Sequence, residues 1–267
     1  MSEIGKSLVF ADNDRLLREA IGDFLRGKGF AVRLAEDGLE ALDMVRHAPP
    51  DFLVLDIVMP KVSGARVCRL IREDPDLRGI PIVAFTALSA HDFRWFPELS
   101  PDAYVAKGPL AVACDNLLRA LVGIGKLRAG PVSDAILGYR HFEPHPLVRE
   151  IFEERQRLLD LLDAVGRGVV ELDADGRILR ATADACKLLG RRELDLIGER
   201  FVGLSAPQDR EPLQGLLDAA AKGAEARRGR LHVRLNGYQI SLLVTGIGSP
   251  GRTPGIAVTF EAEAPPV

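Results

Sequence analysis

Asp12, Asn13 and Asp14 close one short apolar run of the chain, Asp56 closes a second, and Thr86 and Lys107 close two more. Brought together, those carboxylate and amide oxygens make a hard-oxygen set suited to Mg²⁺, which keeps several waters and binds through a few acidic groups plus a phosphate. A carboxylate beside such an ion can attack phosphorus, while a lysine and a hydroxyl stabilise charge on the oxygens in transfer. Singly, an acidic residue after a strand is an ordinary turn former or helix cap. The combination at four run ends is what points to phosphoryl chemistry.

Convergence of these groups needs a scaffold that ends its strands on one side. Five strands are readable: SLVFA (7–11), AVRLA (31–35), FLVLD (52–56), IVAFT (82–86) and AYVA (103–106), each rich in Val, Leu, Ile or Phe and bounded by Asp, Gly or Pro. Between them run helical stripes, Leu16/Leu17/Ala20/Ile21/Phe24/Leu25, Leu39/Leu42/Val45 and Val67/Cys68/Ile71, and after the last strand Leu110/Ala113/Leu117/Leu121. Alternation of this kind predicts an α/β fold with a doubly wound, five-stranded parallel sheet, whose functional groups gather at the carboxyl ends of the strands.

The chain has 267 residues, 47% apolar and 27% charged, with a net charge of −3. That length suits two domains of roughly 100 to 150 residues each. Up to residue 124 there are 15 basic against 18 acidic residues, and beyond it 20 against 20, so neither half carries the positive excess that phosphate backbones attract and no direct nucleic-acid binding is expected. Cys68, Cys114 and Cys186 lack CxxC spacing and read as buried free thiols. The start MSEIGKSLVFADND runs straight into a strand pattern, and no stretch approaches the ~20 apolar residues a bilayer requires, so a cytoplasmic protein without membrane attachment is expected.

Residues 1–124 read as the first domain, and 125–145, with scattered Gly and Pro, as a linker. Residues 146–165 form a charged helix with a stripe at Val148, Ile151, Phe152, Leu158, Leu159 and Leu162. That stripe either packs on the following domain or pairs in a two-stranded coil, with Arg155 interrupting the seam. Residues 166–263 predict an α+β domain with a five-stranded antiparallel sheet: two strands joined at Asp175-Gly176, short helices over 183–198, a longer helix over 208–223 closed by Gly223, then strands 229–235, 238–246 and 255–263, the first two turning at Asn236-Gly237. Strands from the two ends of such a domain are natural neighbours in one sheet.

With these stretches in view, residues 5–123 resemble the receiver domains of two-component response regulators, the flavodoxin- or CheY-like fold, through LVFADNDRLLREAIGDFL, DFLVLDIVMPKVSGARVCRLIR, IPIVAFTALSA and DAYVAKGPL. The resemblance implies that Asp56 accepts a phosphoryl group from a sensor histidine kinase, that Asp12, Asn13 and Asp56 hold Mg²⁺, and that Thr86 and Lys107 contact the phosphate. It also implies a switch in which Tyr104 follows Thr86; a half-buried strand tyrosine without that role is the plainer alternative. Two departures stand out. Asn13 replaces the family's second acid, with Asp14 available to compensate, and Gly108 intervenes between Lys107 and Pro109, where the family places proline directly after lysine. Val58 and Leu88, two positions beyond Asp56 and Thr86, are apolar and poor at orienting water, which implies slow self-dephosphorylation.

The C-terminal half resembles a PAS domain from about Leu161 to Glu263, through LLDAVGRGVVELDADGRILRATADACKLLGRRELDLIG and QDREPL. Its ligand, if any, is not named by the sequence. Haem is disfavoured because no histidine occurs between His145 and His232, and flavin because Cys186 lies outside an Asn-Cys-Arg motif and sits at core spacing with Leu189. Arg227, Arg228 and Arg230 read as strand-edge charge.

The leading expectation is a response regulator that is not an enzyme, with a homodimer through the receiver face or the connecting helix and a downstream protein target. No recognisable output enzyme is expected after the PAS strands. A PAS-based small-molecule or redox sensor with a degenerate receiver is the alternative. A phosphatase with an aspartyl nucleophile ranks third, because Val58 stands where such enzymes carry a second Asp.

Overall fold

A computed structural model describes residues 5–87, 99–129, 136–137, 166–222, 228–247 and 255–261. The chain divides into two compact units, Met1–Glu154 and Arg155–Val267.

In the first unit, strands β1 (Ser7–Ala11), β2 (Ala31–Ala35), β3 (Phe52–Leu55), β4 (Ile82–Thr86) and β5 (Ala103–Ala106) pair in parallel in the order β2-β1-β3-β4-β5. Helices α1 (Arg15–Gly27), α2 (Gly38–His47), α3 (Gly64–Glu73) and α4 (Leu110–Ala129) accompany them. The continuous apolar runs of β3 and β4 are buried along their whole length, as expected for a sheet covered on both faces. Phe10 and Phe85 meet in that core with ring centroids 5.8 Å apart.

Each of the first three helices begins on a side-chain cap: Asp14 accepts from Leu17 N, Asp37 from Glu40 N and Ser63 from Arg66 N. Long basic side chains close other ends. Arg33 of β2 donates to the carbonyls of Met44 and Ala48 at the end of α2. Arg72 of α3 reaches the carbonyls of Arg78, Ile80 and Ser100 and the carboxylate of Asp102, which in turn accepts from Ile82 N.

Two features of residues 125–145 differ from a plain linker. Helix α4 continues through Gly123 and Gly125 to Ala129, and Ile136–Leu137 form a short strand, β6, parallel to β5 at the sheet edge. Each interior glycine costs a helix about 1 kcal/mol. The buried face of α4, with Ala113, Cys114, Leu117, Ala120, Leu121 and Ile124, offsets that cost by packing.

The second unit contains β7 (Val169–Leu172), β8 (Ile178–Ala181), α5 (Ala183–Leu189), α6 (Glu193–Leu196), α7 (Arg210–Ala221), β9 (Arg228–Leu235), β10 (Tyr238–Ile247) and β11 (Gly255–Glu261). Its five strands are antiparallel in the order β8-β7-β11-β10-β9, so β7 and β11, the unit's first and last strands, are neighbours. Asn236 and Gly237 both have positive φ, 50° and 82°, the geometry that matches the twist of a tight hairpin. Helix α7 packs on β9, β10 and β11, and Phe201 meets Phe260 edge to face at 6.3 Å beneath them.

Neighbouring segments cover parts of both sheet edges. Along β8, Gly198 N donates to Ile178 O at 2.8 Å and Ile178 N to Glu199 O at 2.9 Å. Along β9, Ala206 N donates to Arg234 O at 3.0 Å and Arg234 N to Asp209 Oδ2 at 2.7 Å. Arg230, in β9, is exposed, as strand-edge charge should be. The amphipathic stretch 146–165, the rest of the linker, Leu88, Gly223 and Arg227 lie outside the described residues. Among the described residues, no helix is long and apolar enough to cross a membrane.

Candidate functional site

The parallel register brings the ends of β1, β3, β4 and β5 level. Asp56 N donates to Ala11 O at 2.9 Å, and Lys107 N donates to Thr86 O at 2.8 Å, so each polar residue leaves its strand beside the next. Asp12, Asp56 and Thr86 are all buried there. The ammonium of Lys107 lies 2.8 Å from Asp56 Oδ2, to which it donates, and 2.8 Å from Asp12 Oδ2. It also stands 5.7 Å from the centre of the Phe85 ring.

The two carboxylates are held differently. Asp12 Oδ1 accepts from Asp14 N at 2.9 Å, whereas Asp12 Oδ2 is buried and accepts no hydrogen bond, because Lys107 is near enough for ion pairing but outside a hydrogen-bonding direction. Asp56 Oδ1 accepts from Val58 N at 3.3 Å. Burial pushes the Asp56 carboxyl above its ordinary range; Lys107 pulls it back by charge and hydrogen bond, and Asp12 pushes it up again.

Asp12, Asp56, Thr86 and Lys107 therefore assemble at one end of the sheet. Asn13 is exposed. Asp14 is exposed as well, and its Oδ1 is used to cap α1, so it does not join the pair. Among the described residues, no group of three or more His, Cys, Asp and Glu side chains gathers for a metal, and the acidic complement here is Asp12 with Asp56. The donor set nonetheless fits a hard divalent cation: two buried carboxylates share the single ammonium of Lys107, and Asp12 Oδ2 has a lone-pair direction that no hydrogen bond uses. Tyr104 is half-buried in β5, and burial, with the Cys68 thiol adding to it, pushes its phenol up to about 12. Burial pushes the Cys68 thiol to about 11, so it is held as an unreactive thiol.

Three contributors were not anticipated from sequence. Arg18, one turn into α1, donates to the Asp12 carbonyl oxygen. The Val58 backbone supplies an N–H to Asp56 even though its side chain is apolar. Lys61, beyond Asp56, has a positive φ of 58° and pairs with buried Asp37. Arg18 sits at a legible spacing from Asp12 but aims at a main-chain group, and no side-chain pattern encodes that.

The first unit thus carries a parallel sheet with an Asp–Asp–Lys crevice at its carboxyl end, and the second an antiparallel sheet with helices on it. In agreement, residues 8–107 match the response regulator receiver domain family and residues 153–261 match the PAS fold. Each half of the chain thus matches one of these two families.

Response regulator MprA of Mycobacterium ulcerans (strain Agy99) is 33% identical over 156 residues, which are 57% of this chain and 65% of that protein. The chain thus spans a little under two thirds of the length of that curated relative. Among solved structures, the receiver domain of sensor histidine kinase PA1611 from Pseudomonas aeruginosa PAO1, with a magnesium ion in its active-site cleft, is 25% identical, covering 45% of this chain and 98% of that one with a TM-score of 0.40. Chemotaxis response regulator CheY4 of Vibrio cholerae is 19% identical, covering 44% and 98%, with a TM-score of 0.41.

Proposed function

We propose that this protein is a cytoplasmic response regulator that takes a phosphoryl group from a sensor histidine kinase onto Asp56 and signals through its PAS domain. The observation that carries the reading is the 2.8 Å contact of Lys107 with the Asp56 carboxylate, in a crevice shared with Asp12 and Thr86.

In the transfer, an Asp56 oxygen forms a bond to phosphorus while the P–N bond of the donor phosphohistidine breaks, and the imidazole leaves with the electron pair and takes up a proton. Lys107 swings its charge from carboxylate to phosphoryl oxygen, and the Thr86 hydroxyl and Val58 N–H serve the remaining oxygens. Mg²⁺ held by Asp12 and Asp56, with Asn13 as a neutral oxygen donor, would supply positive charge to the same oxygens when bound. Tyr104 then reports the change at Thr86 to the face around β5.

The consequence is a change in protein contacts, by homodimerisation through the receiver face or the 146–165 segment and by engagement of a downstream protein. The chain works as a signalling protein rather than a free-standing enzyme, and needs no haem or flavin to do so. Incubation of wild type and Asp56→Asn with acetyl phosphate and Mg²⁺, quenched in acid, tests the reading by intact mass. One added phosphoryl group on wild type alone supports it; its absence from both overturns it in favour of a PAS sensor with a scaffold receiver.

A further inference from the structure

The loop that leaves Asp56 is gripped from the side. Lys61 holds φ at 58°, a left-handed conformation that lysine rarely adopts and that persists where the surroundings impose it. Its ammonium lies 2.6 Å from Asp37 Oδ2, a carboxylate that is 3% exposed. The other oxygen of Asp37 accepts Glu40 N at 2.9 Å and starts α2, so one buried carboxylate ties the beginning of α2 to the loop after β3.

The backbones close up at the same place. A Cβ added to Gly38, next to Asp37, would stand 1.9 Å from the Val62 carbonyl oxygen, and one added to Gly64 would stand 1.9 Å from the Asp56 carbonyl oxygen. Ile57, Met59 and Val62 are buried, while Val58 between them faces out and directs its N–H to Asp56. Loop position and the Val58 donor are thereby mechanically linked.

We propose that Lys61 and Asp37 form a positioning pair for the phosphoryl-acceptor site, holding residues 57–63 so that Val58 N–H stays aimed at the Asp56 carboxylate and the group it receives. The proposal rests on Asp56 as the acceptor, and makes a pair of charges away from the crevice set the rate within it.

The test uses the full chain with Lys61→Met, Lys61→Gly, Lys61→Arg and Asp37→Asn. Lys61→Gly relieves the left-handed backbone while removing the charge, so it separates conformation from ion pairing. Two readouts are taken: the amide resonance of Val58 in the unphosphorylated protein, and the acetyl phosphate dependence of phosphoryl uptake. Lys61→Met, Lys61→Gly and Asp37→Asn are expected to move the Val58 resonance and to lower the limiting rate roughly five- to tenfold with the half-saturating concentration unchanged, and Lys61→Arg to restore both.

A wild-type Val58 resonance and rate in Lys61→Gly overturns the proposal, even if Lys61→Met is too unstable to compare. A wild type that takes no phosphoryl group overturns the acceptor reading instead, and in that event a shifted Val58 resonance in Lys61→Gly still supports the linkage between loop and donor.

Discussion

Lys107 Nζ lies 2.8 Å from Asp56 Oδ2, and the same ammonium stands 2.8 Å from Asp12 Oδ2, so a single charge separates two buried carboxylates. Lys107→Met leaves those carboxylates facing each other. Phosphoryl uptake by intact mass is expected to fall roughly 10- to 100-fold, and urea unfolding to show a loss on the order of 1–3 kcal/mol, below the full cost for a deeply buried pair because Lys107 is partly exposed. Lys107→Arg should restore stability better than uptake, because a planar guanidinium cannot replace a point charge between two carboxylates.

Asp56 carries a pH signature. Burial, its largest influence, raises the carboxyl above its ordinary 3.8, so only between 3.8 and the folded value does the folded protein keep a proton that the unfolded chain has released. Stability is therefore fully present below about 3.8 and is lost as pH rises through the folded value. Asp56→Asn escapes that loss. Its urea midpoint should exceed that of wild type at pH 7, with the gap narrowing towards pH 4; equal midpoints at pH 7 would show that Lys107 offsets burial completely.

Asn13→Asp adds a second negative charge at the end of β1, one residue after buried Asp12. Mg²⁺ binding by calorimetry should tighten by about tenfold or more. Unchanged affinity would mean that the exposed position 13 does not reach the ion.

Two glycines near the crevice should respond oppositely. Gly64→Ala forces a methyl to 1.9 Å from Asp56 O, while a Cβ at Gly108 meets nothing within 4 Å. The first is expected to cost about 2 kcal/mol or more and to depress phosphoryl uptake; the second should stay within about 0.5 kcal/mol of wild type in thermal unfolding.

The lifetime of a phosphoryl group on Asp56 depends on whether water is steered to it. Val58 is apolar and 41% exposed, so Val58→Asn, alone or with Leu88→Glu, should shorten the acyl-phosphate half-life by roughly tenfold, read by mass after removal of the donor. An unaltered half-life would place water control elsewhere.

Much of this was legible in the residues themselves. β1, β2, β4 and β5 begin and end where their apolar runs do, and the rule of strand ends groups Asp12, Asp56, Thr86 and Lys107 as the structure does, but it also includes Asn13 and Asp14, which are exposed. What stayed hidden were tertiary commitments of flexible side chains. Nothing in a lysine announces a left-handed backbone at position 61, and the targets of Arg18, Arg33 and Arg72 are mostly main-chain carbonyls, set by the finished fold. Residues 125–145 read as a linker, yet α4 runs on to Ala129.

The covered edges of the second sheet restrict how copies of that unit can add to one another. Where 198–199 lies along β8 and 206–209 along β9, the amides and carbonyls that a foreign strand would need are already spent. Sheet-to-sheet growth at those points would first have to peel away the unit's own chain, which guards against open-ended fibres. At those points, contact between copies is limited to side chains, which do not template a further strand.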